Sequence, residues 1–288
     1  MLSNILFQML GGLSSSMFLW LVAAGLTLAF GVCGILNIAH GSLYMLGAYF
    51  CFTFYHSLGA NFWLSIVLAC VGVGILAFIM ERFFLRHLYP EPLEFQLILT
   101  FAFILILNHA VQLGWGTMLL LPPMPSYFMG TVTVLGRPFP IYNLFIIGVG
   151  FAVGAVIWLV LDKTWWGRKV IASASNREMA GALGINIPRI FTTAFIFAAA
   201  LAAFGGALTT PVRVCLPGTG ESIIVQAFVV TVIGGLGSLK GALLGAIIVG
   251  VISAICTLIA PFFELFAMYA IMAAVLLVRP KGIFGGAA

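Results

Sequence analysis

Few side chains in this sequence can do chemistry, and they fall in a small number of places. Asn37 and His40 stand between two apolar runs, with Ser42 just beyond and Gly34, Gly41 and Gly47 around them. A membrane helix can be interrupted only where its freed backbone groups are buried in protein or line water. Two readings of this break stand side by side. One is a broken or re-entrant segment beside a transport path; the other is a short turn whose Asn and His satisfy helix ends. A second polar set, Gln96, Thr100 and Asn108, lies in one apolar run at spacings compatible with a single helical face. Gln226 and Thr231 lie in another. Such groups mark pathways or join helices by hydrogen bonds. The candidate path residues are therefore Asn37, His40, Ser42, Gln96, Thr100, Asn108 and Gln226. Glu221 and Glu264 are placed at span ends, as solvated edge charges or as contacts for an arriving ligand or protein.

The most polar stretch is residues 162–189. Its start, Asp162 to Lys169 with Trp165 and Trp166, reads as an interfacial stop with the tryptophans at headgroup level. Next, Asn176 can cap a short helix, and Glu178 suits its first turn through the helix dipole. Met179, Leu183 and Ile187 follow at i, i+4 and i+8 and predict one apolar face, with Pro188 ending the element. Ala180, Gly181, Ala182 and Gly184 permit close backbone approach. These features favour a protein partner over the bilayer surface as the seat of this helix.

The elements that position these residues follow from composition. Of 288 residues, 63% are hydrophobic and 7% charged, with a mean hydropathy of +1.23. Soluble domains average about 25% charged residues, so soluble, disordered and nucleic-acid-binding classes are excluded. The expectation is an all-α polytopic bundle, residues 1–288 forming a single membrane domain. About nine spans (8–10) are predicted, at 13–35, 42–57, 62–80, 95–113, 141–161, 190–211, 222–236, 241–260 and 264–278. With that count, Arg82, Arg86, Lys163, Arg168, Lys169, Arg177, Arg189, Lys240, Arg279 and Lys281 share one side. Only Arg137 and Arg213 fall opposite. The bias places the C-terminus and the 162–189 loop in the cytoplasm and the N-terminus outside. The +5 charge thus reports topology rather than nucleic acid.

Several motifs are missing from the sequence. No G-x-x-x-x-G-K-[ST], HExxH or GxSxG occurs, the five cysteines sit singly, and no acid pair lies within a span. Any energy supply is expected from another subunit. The competing expectation is a self-contained secondary carrier or channel, which would need its own coupling site.

The segment Leu36 to Tyr49 resembles the N-x-A-H-G-x-x-x-M-x-G segment of LivH-type permeases, membrane subunits of ATP-binding-cassette importers for branched-chain amino acids and related small solutes. Glu81-Arg82, Gly184-Ile185-Asn186, the glycine run Gly234–Gly241 and the ending Leu277 to Ile283 follow the same pattern in order. Glu178, Ala180 and Gly184 correspond to the family's E-A-A-x-x-x-G coupling motif, with Met179 replacing its first Ala. The resemblance implies an ATPase-docking surface at Arg177, Glu178, Ala180, Gly181, Gly184 and Ile185. It implies a second, LivM-type permease subunit, two ATPase subunits and an extracytoplasmic solute-binding protein in a bacterial inner membrane. ATP and Mg would be bound by the partner ATPase, with no cofactor, metal or catalytic residue in this chain. The solute would be a branched-chain amino acid, urea or a short amide.

Overall fold

The computed structural model describes residues 2–134 and 136–285. They form eleven helices and one short hairpin. Helices α1 (Leu2–Cys33), α2 (His40–Phe52), α3 (Phe62–Phe83) and α4 (Leu93–Trp115) come first. The antiparallel strands β1 (Thr131–Val134) and β2 (Arg137–Pro140) then lead into α5 (Ile141–Lys163). The polar stretch folds as α6 (Trp165–Ser175) and α7 (Arg177–Ala182). The chain ends with α8 (Ile187–Thr209), α9 (Thr219–Gly234), α10 (Leu239–Ile259) and α11 (Glu264–Val278).

Helix starts follow local chemistry. Asn61, Thr164, Asn176, Asn186 and Ser238 each accept a hydrogen bond from a backbone N–H of the turn they precede, satisfying donors that a helix start leaves free. Pro188 sits in the first turn of α8, where its missing N–H costs nothing. It therefore opens the next helix instead of ending the polar one, and Ile187 belongs to α8 rather than to an apolar stripe on α7.

Each of the nine apolar runs is helical, but seven helical segments are long and apolar enough to cross a bilayer. The exceptions are α9, of 16 residues, and α2, whose 13 residues run on into a five-residue π-helix, Thr53–Ser57; both stay short of the roughly 20 a full crossing needs. Each is preceded by non-helical chain, residues 34–39 and 210–218. Two crossings are thus composite, an irregular half followed by a short helix. Irregular backbone at that depth is tolerated where it is buried in protein, as much of 34–39 is, or lines a cavity, as Arg213 of 210–218 does.

The helices α1 and α8 form the centre. Helix α1 packs on α8, α9 and α10, while α8 packs on α1, α2 and α3. Exchanging α1–α2–α3 for α8–α9–α10 leaves this pattern unchanged. Helix α1 ends, and α8 begins, on the face that carries the polar loop, because Arg177 bonds the end of α1. The two triplets therefore run in opposite directions, an inverted repeat. The second half of α1, from Ser16 to Cys33, and most of α8 are largely buried, whereas α3, α4, α5, α10 and α11 keep broad apolar faces exposed. Those faces suit lipid.

Candidate functional site

Two close approaches define the middle of the bundle. Helices α2 and α9 meet at their first turns, Gly41 against the carbonyl of Gly220. Neither position has room for a β-carbon, so only glycine allows these backbones to touch. His40 reaches the same depth, where Gly25 of α1 touches both its ring and Ala198 of α8. The N-terminal ends of the two short helices therefore converge inside the bundle, where helix dipoles present partial positive charge.

Residues 34–39 alternate between half-buried and buried positions, with Ile35, Asn37 and Ala39 inside. Asn37 and His40 are fully buried. The Asn37 side-chain oxygen accepts from the Ala39 N–H at 3.1 Å, as a turn former does. Its Nδ2, the His40 Nε2, the Ser42 hydroxyl and the nearby Thr27 hydroxyl are buried with no hydrogen-bond partner among the described residues. Each such group carries a desolvation cost of about 1–3 kcal/mol, so the break holds polar capacity in reserve.

The other candidate residues disperse. Gln96 donates to the Leu88 carbonyl at 3.0 Å and Thr100 to the Gln96 carbonyl at 2.9 Å, both at the polar-loop end of α4. Asn108 lies toward the opposite end. Its Nδ2 donates to Glu221 Oε1 at 2.6 Å, and its Oδ1 accepts from the Gly218 N–H at 3.1 Å. It therefore holds the start of α9 in place. Gln226 lines a cavity of about 520 Å³ together with Arg213, Tyr44 and Glu264.

On the polar-loop face, α7 is capped by Asn176 and carries Glu178 in its first turn. Gly184 follows with φ +85°, a left-handed conformation suited to glycine. Met179 and Leu183 are exposed, at 60% and 77%, and Glu178, Gly181 and Gly184 are exposed beside them, with Ile185 half-buried. Ala180 points the other way and is buried. Arg177 also turns inward. Its Nη2 donates to the Cys33 carbonyl at 2.8 Å, and the guanidinium stacks 5.0 Å over the Phe191 ring.

Sequence reasoning missed the surroundings of that arginine. Glu81 is fully buried at the end of α3, and its Oε1 accepts from the Tyr89 hydroxyl at 2.7 Å. Burial, then the neighbouring Cys33 and Glu81, push the Tyr89 phenol above its ordinary value, so it stays a neutral donor. The Glu81-Arg82 dipeptide was the only signal. The 210–218 segment was also missed; it is pinned by a mutual backbone pairing of Cys215 with Leu120. All five cysteines are free thiols. Among the described residues no group of three or more His, Cys, Asp or Glu is placed to hold a metal ion.

A multi-pass bundle with two short helices meeting head to head at mid-depth, beside a polar cavity, is the architecture of a membrane transport protein. The chain belongs to the family described as the permease component of branched-chain amino acid transport systems, whose pattern matches residues 8–278. It is 30% identical over 291 residues to the high-affinity branched-chain amino acid transport system permease protein BraD of Pseudomonas aeruginosa, covering 96% of this chain and 95% of that one. It is 29% identical to the corresponding LivH protein of Escherichia coli, covering 96% and 94%. In fold it is similar to PsaBC from Streptococcus pneumoniae, solved with a Fab, at a TM-score of 0.52 and 13% identity, over 93% of this chain and 88% of that one.

Proposed function

We propose that this chain is the membrane subunit of an ATP-binding-cassette importer that carries branched-chain amino acids, or a related small polar solute such as urea or a short amide, into the cytoplasm. It works with a second, LivM-type permease, two ATPases that bind ATP and Mg, and an extracytoplasmic solute-binding protein. The ten-to-two segregation of basic residues supports a cytoplasmic polar loop in the inner membrane, with the N-terminus outside.

The observation that carries the reading is the two-sided coupling segment. Its outer surface, from Glu178 through Gly181 to Gly184, is exposed and carries Met179 and Leu183 beside the two glycines, which suits insertion into a cleft of an ATPase. Its inner side is wired to the bundle, because Arg177 holds the end of α1 at Cys33, four residues before the buried Asn37. When the ATPases close, the segment moves, and α1 and the 34–39 break move with it. Asn37, His40 and Ser42 lie where α2 touches α9 and would feel that shift, with their free polar atoms acquiring partners. The solute passes between the two permeases as access alternates.

Gly184→Arg tests the docking surface. A charged side chain at an exposed left-handed position blocks the cleft and strains the turn by about 1 kcal/mol, without touching the buried bundle. Solute uptake should be abolished while the chain still inserts in the membrane, read by uptake assay and membrane fractionation. Normal uptake would remove the assignment. If the purified chain carries solute by itself in liposomes, with no ATPase copurifying, it is a self-contained carrier.

A further inference from the structure

Glu81, in the last turn of α3, is a fully buried carboxylate with an incomplete set of partners. Its Oε1 accepts from the Tyr89 hydroxyl at 2.7 Å, while its Oε2 has no hydrogen-bond partner among the described residues. Neither protonation state satisfies that atom, since an ionised oxygen lacks a donor there and a protonated one lacks an acceptor. A buried group left in this way is costly and calls for a reason.

A cation with spare donors sits against the same aromatic ring. The Arg177 guanidinium stacks 5.0 Å over Phe191 of α8, and the Tyr89 ring that holds Glu81 meets Phe191 edge-on at 5.2 Å. Gly34 makes room for Arg177, because a β-carbon there would stand 2.6 Å from Nη2. A guanidinium carries five N–H donors, and Nη2 uses one of them on the Cys33 carbonyl. The other cation whose charge reaches Tyr89 is Arg86, in the short turn after α3. Arg86 travels with Glu81, whereas Arg177 travels with the polar loop.

We propose that Glu81 is the catch for the stroke of the coupling segment. When α7 is pushed toward the bundle, the Arg177 guanidinium keeps the Cys33 carbonyl and takes Glu81 Oε2 as a second acceptor, fastening the end of α1 to the end of α3. The proposal rests on the importer reading and adds a second state to it. A planar fork can bridge two acceptors without releasing the first, and burial strengthens the new charge-assisted bond. The catch is open in the present structure, and its closure offsets the cost of the buried carboxylate. Closure therefore favours the ATP-bound assembly, and by linkage Glu81 raises the affinity for nucleotide although it touches none. Glu81 is in this sense a positioning residue, acting through Arg177.

The test uses the assembled importer with its ATPases. It reads the affinity for a non-hydrolysable ATP analogue beside the thermal midpoint of the nucleotide-free assembly. Glu81→Gln keeps the size of the side chain and an acceptor for Tyr89 but removes the charge. It should weaken the analogue about tenfold without lowering the nucleotide-free midpoint. Arg177→Met should also weaken the analogue, and adding Glu81→Gln to it should cost nothing further. Glu81→Asp, with a shorter arm, should weaken the analogue by only about threefold, and only where Arg177 is present. It carries the same comparison if Glu81→Gln fails to assemble. Arg86→Gln should leave the affinity unchanged. Unchanged affinity in Glu81→Gln, a further tenfold or so loss when it is added to Arg177→Met, or dependence of its effect on Arg86 instead overturns the proposal. Failure of the importer reading looks different: no ATPase then copurifies with the wild-type chain, and the analogue does not bind at all.

Discussion

Residues 34–39 and residues 210–218 both carry the chain from the end of a long helix back into the bundle, yet the first is closed and the second is open. In the first, Ile35, Asn37 and Ala39 are fully buried, and polar atoms are left without partners. In the second, Val212, Arg213 and Val214 are exposed, and Arg213 faces a cavity. Their anchors differ as well. The closed segment is held through Arg177, which belongs to the polar loop, and the open one through Asn108 and Leu120, which do not. In the importer proposed above, force arrives at the closed break, while the open segment faces the cavity on the opposite side. The helices that follow them touch at Gly41 and Gly220.

That contact is where the comparison breaks most completely. Gly41→Leu drives a side chain into the Gly220 carbonyl and Ile224, and neither backbone can retreat because α2 is packed on α8 as well. Overpacking of a core costs about 1–3 kcal/mol when neighbours can shift, and here backbone would have to move. The expected outcome is loss of the folded subunit, seen as absence of a monodisperse peak on gel filtration in detergent. A well-folded Gly41→Leu protein would show that the two breaks are not in fixed contact.

Arg177→Met separates the closed break from the loop that drives it. It removes the donor to the Cys33 carbonyl and keeps much of the apolar stem over Phe191. A charge-assisted hydrogen bond is worth about 1.5–3 kcal/mol, and the subunit has many other contacts, so it should fold. Solute uptake should fall about tenfold or more while ATPases still copurify and hydrolyse ATP. Parallel loss of uptake and ATPase copurification would assign Arg177 to docking instead.

How much of this was legible beforehand depended on range. The apolar runs were, because charges and capping residues bound them, and so was the polar helix start at Asn176. The end of that helix was not. Met179, Leu183 and Ile187 have helical spacing, but Gly184 adopts a left-handed turn and Asn186 caps a new helix in which Pro188 fits. The face shared by Gln96, Thr100 and Asn108 misled differently. Twelve residues of helix put about 18 Å between its ends, so Asn108 serves α9 while the other two satisfy local carbonyls. Arg213 and Glu264 lie 51 positions apart in sequence, and nothing local reveals that they share a cavity. Segment 210–218 read as an ordinary loop because its Pro and Gly are equally at home in one.

The mildest change sharpens the contrast from the open side. Asn108→Leu removes both bonds that hold the start of α9, to Glu221 and to the Gly218 N–H. Hydrogen bonds between membrane helices average about 0.6 kcal/mol, and Glu221 is exposed enough to turn to water. The thermal midpoint of the purified subunit should drop by about 2–4 °C, measured by fluorescence in detergent, with ATP-driven uptake reduced less than twofold or so. If force arrives only at the closed break, loosening the open one leaves coupling intact. If Asn108→Leu instead cuts uptake as deeply as Arg177→Met, both segments carry the stroke. The division of labour between them would then have to be abandoned in favour of two equivalent hinges.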